Sequence, residues 1–110
     1  LRGIGDTRSL APFSPDGSRA YVALGKELLQ VDVATARILA RAVLEEIPDD
    51  VNADGRYISV LRGGEVRLLH AETLREVAKW AAPNARRVVF AGEGLVFEGS
   101  GVRVRIEAKE

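Results

Sequence analysis

The chain has 110 residues, 46% of them hydrophobic but only 5% aromatic, and its 16 basic and 16 acidic side chains balance to a net charge of zero. That length fits one domain with a core of Val, Leu, Ile and Ala, and a neutral chain has no long-range pull toward nucleic acid or an anionic membrane surface. The absence of cysteine excludes disulfides, thiolate metal sites and thiol nucleophiles, and no apolar run approaches the roughly 20 residues of a membrane-spanning helix.

The first recognisable element is a tight turn at Ser14-Pro15-Asp16-Gly17. Glycine takes positive φ without strain there, and aspartate hydrogen-bonds its neighbouring backbone. A strand is predicted at 20–24, a glycine turn at Gly25-Lys26 and a second strand at 27–33, which together read as a hairpin. Residues 35–47 are ambiguous. Ile38, Leu39, Val43, Leu44 and Ile47 fall near helical spacing among good helix formers, while the turn-like start favours a further strand.

The pattern then recurs. Asn52-Ala53-Asp54-Gly55 is the second opening turn, 57–61 and 65–70 are strands around Gly63-Gly64, and 73–82 repeats the ambiguity between strand and helix. Sliding the first unit by 38 residues superposes Asp16 on Asp54, Gly17 on Gly55, Val22 on Val60, Thr35 on Thr73 and Ala40 on Ala78 without a gap. A fixed period of this size marks a repeat architecture, in which each unit buries its apolar face against the next. A third, degraded unit follows: strand 87–91, turn Gly92-Glu93-Gly94, strand 95–98, turn Gly99-Ser100-Gly101 and strand 102–107. In the last strand Val102, Val104 and Ile106 alternate with Arg103, Arg105 and Glu107, the signature of a sheet with one wet face. The repeat domain spans 1–110, with units at about 9–47, 48–85 and 86–110.

Phe13-Ser14-Pro15-Asp16-Gly17, Ala20-Tyr21-Val22-Ala23 and Val31-Asp32-Val33-Ala34-Thr35 together resemble one blade of a bacterial β-propeller of the YVTN (surface-layer-like) repeat family. More distantly they resemble WD40-like and PD40 repeats. The second unit departs from that pattern, with Ala53 in place of proline and His70 in place of aspartate. The resemblance implies an all-β fold of four-stranded antiparallel blades, here about two and three-quarter of them, and an extracytoplasmic bacterial setting. The alternative is an α+β chain of hairpin-helix repeats. Closed rings have four to eight blades, so both terminal faces are expected to be apolar and open. The chain is then a piece of a longer propeller, pairs with copies of itself (two copies making about six blades), or packs as a non-propeller sheet. Methionine is absent even from position 1, which also suits a processed or excised piece. Arginine outnumbers lysine 13 to 3 and amides are few, as in a heat-adapted source or a GC-rich genome.

Candidate chemistry is sparse. Asp50, Asn52 and Asp54 with Gly55 match the first half of a calcium loop, but Leu61 stands where the bidentate acid belongs, so this is a weak metal candidate beside an ordinary turn. His70 is the only histidine and lacks a metal partner or a nucleophile motif. The glycines at 92, 94, 99 and 101 sit in hairpin turns rather than ahead of a helix, unlike a phosphate loop. Asp16, Gly17, Asp54 and Gly55 are assigned to the opening turns, and Asp32 and Thr35 to the turn after the third strand. Trp80 is either a plug between units or an interface anchor. Arg86 and Arg87 with Arg103 and Arg105 are expected to form a basic stripe across two neighbouring strands, with Arg103 and Arg105 a candidate interface for an acidic partner or a phosphate, or else a solvated face neutralised by Glu98 and Glu107. No catalytic site or cofactor is assigned. The expected function is a non-enzymatic interaction or assembly module whose partners are proteins, a second copy included, with no nucleic acid and no membrane insertion. The alternative is a piece of a larger propeller whose ligand or catalytic site lies elsewhere.

Overall fold

The three hairpin repeats fold as three separate antiparallel sheets. The structure, a computed structural model, describes residues 9–10 and 12–106. The first sheet runs β1 (Ser9–Leu10), β2 (Arg19–Leu24), β3 (Glu27–Asp32) and β4 (Arg37–Val43), with Phe13 bridging to Ala20. The second runs β5 (Asp50–Ala53), β6 (Tyr57–Arg62), β7 (Glu65–His70) and β8 (Glu76–Ala81). The third holds β9 (Arg87–Ala91), β10 (Gly94–Glu98) and β11 (Val102–Arg105), with β10 in the middle. No helix occurs among the described residues, so the fold is all-β. Glu107 and the residues after it lie outside the described part.

The 38-residue period is visible in the backbone as well as in the sequence. Strands β2 and β3 superpose on β6 and β7 end for end. Both units carry a bulge at the same place, between Gln30 and Val31 and between Leu68 and Leu69. Both enter the last strand through a non-glycine residue at positive φ, Ala36 (62°) and Leu74 (61°). Such a conformation costs about 1–2 kcal/mol. It is held by a hydrogen bond back across the turn, in which the Ala36 amide donates to Asp32 O at 2.7 Å and the Leu74 amide to His70 O at 2.8 Å.

This turn is also why the helical alternative for 35–47 and 73–82 fails. It reverses the chain so that β4 pairs with β3 and β8 with β7. Those ladders override the helix preference of Ala, Leu and Arg.

The third unit is contracted. Ile58 pairs with Leu69 in the second sheet, and the matching pair in the third is Leu95 with Val104. The offset is therefore 37 residues at β10 and 35 at β11. Both are odd, and side chains alternate with period two. Relative to a strict 38-residue repeat, the third sheet thus turns over its side-chain set.

Residues paired across strands share a face, which assigns each sheet a front, toward the next sheet, and a rear. Tyr21, Ala23 and Leu28 on the front of the first sheet pack on Val51, Ile58, Val60 and Leu69 on the rear of the second. Tyr57, Leu61, Val66 and Leu68 on the second sheet's front pack on Val88, Leu95 and Phe97 on the third sheet's rear. Full burial of an aliphatic side chain of this size is worth roughly 1.5–3 kcal/mol, so these two seams are the core.

Candidate interaction site

The turn residues are engaged locally. Asp16 Oδ1 accepts from the Ser18 amide at 2.9 Å and from the Ser14 and Ser18 hydroxyls at 2.8 Å. The Ser18 amide bond above all, then the two hydroxyls, lower the Asp16 carboxyl to about 2. Asp54 Oδ1 accepts from the amides of Arg56 and Tyr57, both at 2.9 Å. Thr35 donates its hydroxyl to Asp32 Oδ2 at 2.6 Å, while the Ala36 amide goes to the Asp32 carbonyl rather than to its carboxylate. Gly17 and Gly55 adopt φ of 76° and 99°.

The half calcium loop is not a loop. Asp50–Ala53 is strand β5. Asp50 and Asn52 point from its front face at the third sheet, where Asn52 Nδ2 donates to Val88 O at 3.0 Å and Val88 N donates to Asp50 Oδ2 at 3.3 Å. Burial raises the Asp50 carboxyl above its ordinary value, and the Val88 amide opposes this. Asp54 caps the next turn instead of converging on the same point. Among the described residues no group of three His, Asp or Glu side chains is placed to hold a metal ion.

His70 ends β7, exposed, with its ring edge-on to Tyr57 at 6.0 Å. Trp80 is half-buried on β8 against the second seam, edge-on to Phe97 at 6.0 Å. The expected arginine stripe is interrupted. Arg86 precedes β9, Arg87 begins it, and Arg103 and Arg105 lie on β11, with β10 between the two strands. Arg87 pairs with Glu98 at 3.3 Å and Arg105 with Glu93 at 3.8 Å.

Sequence reasoning passed over Gln30. It is 3% exposed on β3 and donates Nε2 across the first seam to the carbonyls of Ala71 and, at 3.5 Å, Glu72, while Oε1 accepts from Arg19 at 3.3 Å. The available signal was its rarity: it is the only glutamine in the chain, set in a strand otherwise rich in aliphatic residues. Outside this seam Arg67 forms a hub, with Glu45 and Glu65 each at 3.2 Å and Glu76 at 3.6 Å. It lines an open groove of about 370 Å³ beside Leu44, Glu46 and Arg62.

The two ends of the stack differ, which corrects the expectation of two apolar rims. On the rear of the first sheet the paired rows are Phe13, Ala20, Val31 and Ile38; Val22, Leu29 and Arg41; and Leu24, Glu27 and Val43. Phe13, Leu24, Ile38 and Val43 are 58%, 40%, 48% and 73% exposed. The front of the third sheet carries Val89, Val96, Ala91 and Gly94 among Arg87, Glu98, Arg103 and Arg105. The turned-over register of the third unit places these charges outward and its apolar set against the second sheet.

No family model matches the chain, and a search of curated proteins finds no match. Several solved structures do resemble it. BamB from Moraxella catarrhalis superposes with a TM-score of 0.69 at 13% identity, over 86% of this chain and 35% of that one. Sqt1 from Saccharomyces cerevisiae gives 0.66 at 16% identity, over 89% and 30%. Hydrazine synthase from Kuenenia stuttgartiensis gives 0.63 at 16%, over 96% and 38%. These are β-propeller proteins, and the chain shares their fold: two four-stranded blades and three strands of a third. It spans about a third of the length of these structures.

Proposed function

We propose that the chain is a non-enzymatic interaction or assembly module of propeller type whose partners are protein surfaces, a second copy among them. The observation that carries this reading is the apolar rear face of the first blade, where four large hydrophobic side chains are at least 40% exposed. A contiguous apolar patch on a soluble protein marks a contact surface. The motif resemblance adds the finer assignment to YVTN-type, surface-layer-like bacterial repeats.

Apolar-dye fluorescence on dilute protein tests the reading. The wild-type chain is expected to bind the dye, and a Phe13→Ser, Ile38→Ser, Val43→Ser variant of unchanged circular dichroism to lose most of that signal. Equal signals from the two proteins refute it.

The chain's length relative to the matched structures favours a second reading, a segment of a larger propeller whose ligand-binding or catalytic site requires further blades. Further copies of the repeat in the full-length reading frame would support this reading. A stop codon soon after Glu110 would count against it.

A further inference from the structure

The 38-residue register allows the exposed rear of the first blade to be compared with a face whose occupant is known, the rear of the second blade. The inner positions correspond closely. Val51, Ile58, Val60 and Leu69, all 6% exposed or less under the first blade, align with Phe13, Ala20, Val22 and Val31. The outer positions do not. Arg62, Arg67 and Glu76 on the second blade, which sit in the open charged groove beside the seam, become Leu24, Leu29 and Ile38 on the first. The second blade's rear is therefore apolar only near the inner strands, as suits a neighbour in a fanned stack. The first blade's rear is apolar from β2 out to β4.

An occupant of this face must consequently cover the outer strands as well, and a blade seated like the first on the second leaves them to water. The chain's own opposite end does not provide a match, because the front of the third blade presents Arg87, Glu98, Arg103 and Arg105. The first blade's rear does match itself. It is apolar from β2 to β4, and among the described residues its charges are one of each sign, Glu27 and Arg41, 3.9 Å apart. A face that carries both partners of an ion pair is complementary to its own copy, the requirement of a two-fold, isologous contact.

From this we infer that two copies of the chain pair rear to rear through Leu24, Leu29, Ile38 and Val43, a closed dimer and not a head-to-tail ring. The inference rests on the proposed reading of this face as an interaction surface and names its partner. Strands β2, β3 and β4, about 4.8 Å apart and about six residues long at about 3.3 Å each, give a flat patch on the order of 300 Å² per chain. Standard interfaces bury roughly 800 Å² per partner, so the dimer is a weak one that dissociates on dilution within the micromolar to millimolar range.

Sedimentation velocity across that concentration range tests the inference, with the wild-type chain, Leu29→Glu, Ile38→Glu and an Arg103→Glu, Arg105→Glu control. The expected result is a reversible monomer–dimer equilibrium in the wild type and the control, weakened at least tenfold in either rear-face variant. Circular dichroism reports whether each variant is folded, and the two independent rear-face substitutions keep the test open if one does not fold. A wild type that stays monomeric to 1 mM overturns the inference. So does a dimer dissociated by the arginine control, which would place the front face in the contact. Dye binding in dilute protein combined with strict monomers at high concentration overturns this pairing and leaves the interaction reading intact, with another protein as occupant.

Discussion

Asn52 reaches across the second seam to donate its side-chain amide to the carbonyl of Val88, 3.0 Å away. Asp50, two residues earlier on the same face of β5, accepts from the amide of that same residue. Both backbone polar groups of the fully buried Val88 are thus answered by side chains from the neighbouring blade. Removing the amide in Asn52→Ala leaves a buried carbonyl without a donor. The expected loss is about 1–3 kcal/mol, read as a lower urea midpoint with Trp80 fluorescence as the probe of this seam. A loss below about 0.5 kcal/mol would show that the latch contributes only geometry.

Ser59 lies beside Asn52 in the cross-strand pair of β5 and β6. It is 1% exposed, and its hydroxyl has no hydrogen-bond partner among the described residues. The aligned residue of the first blade, Tyr21, fills the first seam. In the second seam the large aromatic side chains include Trp80 and Phe97, packed edge to face. Ser59→Ala removes an unsatisfied buried hydroxyl with little change in volume. It is expected to stabilise the chain by about 1 kcal/mol, a rise of several degrees in melting temperature for a domain of this size. A fall in melting temperature would mean that the hydroxyl is hydrogen-bonded in solution.

The parts of this architecture written in local chemistry were readable in the chain. Asp-Gly turns and alternating strands act within a few residues, so the repeat, the hairpins and the number of blades follow from them. The fourth strands were ambiguous because Arg37–Val43 and Glu76–Ala81 are composed of helix formers whose strand identity comes only from pairing with β3 and β7. Gln30 and Asn52 were not recognisable as seam latches because their partners are 41 and 36 residues away. The difference between the two ends was hidden more deeply. Alternation in the last strand already sets Arg103 and Arg105 on a wet face, but that this face is the outer end of the stack follows from the odd contraction of the third unit, which only the strand register reveals.

Two carboxylates predict opposite responses to acid. Asp16 has a folded-state pKa of about 2, below its ordinary 3.8. Its contribution is therefore present above the ordinary value and lost as pH falls toward 2. Asp50 is raised by burial, so its contribution is present at low pH and lost as pH rises through its folded-state value. Asp16→Asn is expected to lower the melting temperature at pH 7 and to match the wild type near pH 2. Asp50→Asn keeps an acceptor for the Val88 amide without the buried charge. It is expected to equal or exceed the wild type at pH 7 and to lose that advantage in acid. Melting curves from pH 2 to 7 check both, and parallel curves for either variant would contradict the assigned environment.

The first seam makes a sharper use of the same chemistry. Gln30 can serve both the Ala71 carbonyl and Arg19 because a neutral amide is donor and acceptor at once. Leucine, the residue found at the aligned position 68, would leave the Ala71 carbonyl and the Arg19 guanidinium unanswered, a loss of about 1–3 kcal/mol lessened by the added apolar burial. Glutamate would retain the Arg19 contact but aim a carboxylate at carbonyl oxygens inside the seam. At neutral pH Gln30→Glu is expected to be the less stable variant. Protonation would restore a donor toward Ala71, so the folded-state pKa of that glutamate is raised and its deficit narrows as pH falls through it. Denaturation midpoints of both variants at pH 4 and pH 7 decide the point: a Gln30→Glu deficit independent of pH would show that the side chain has swung out of the seam.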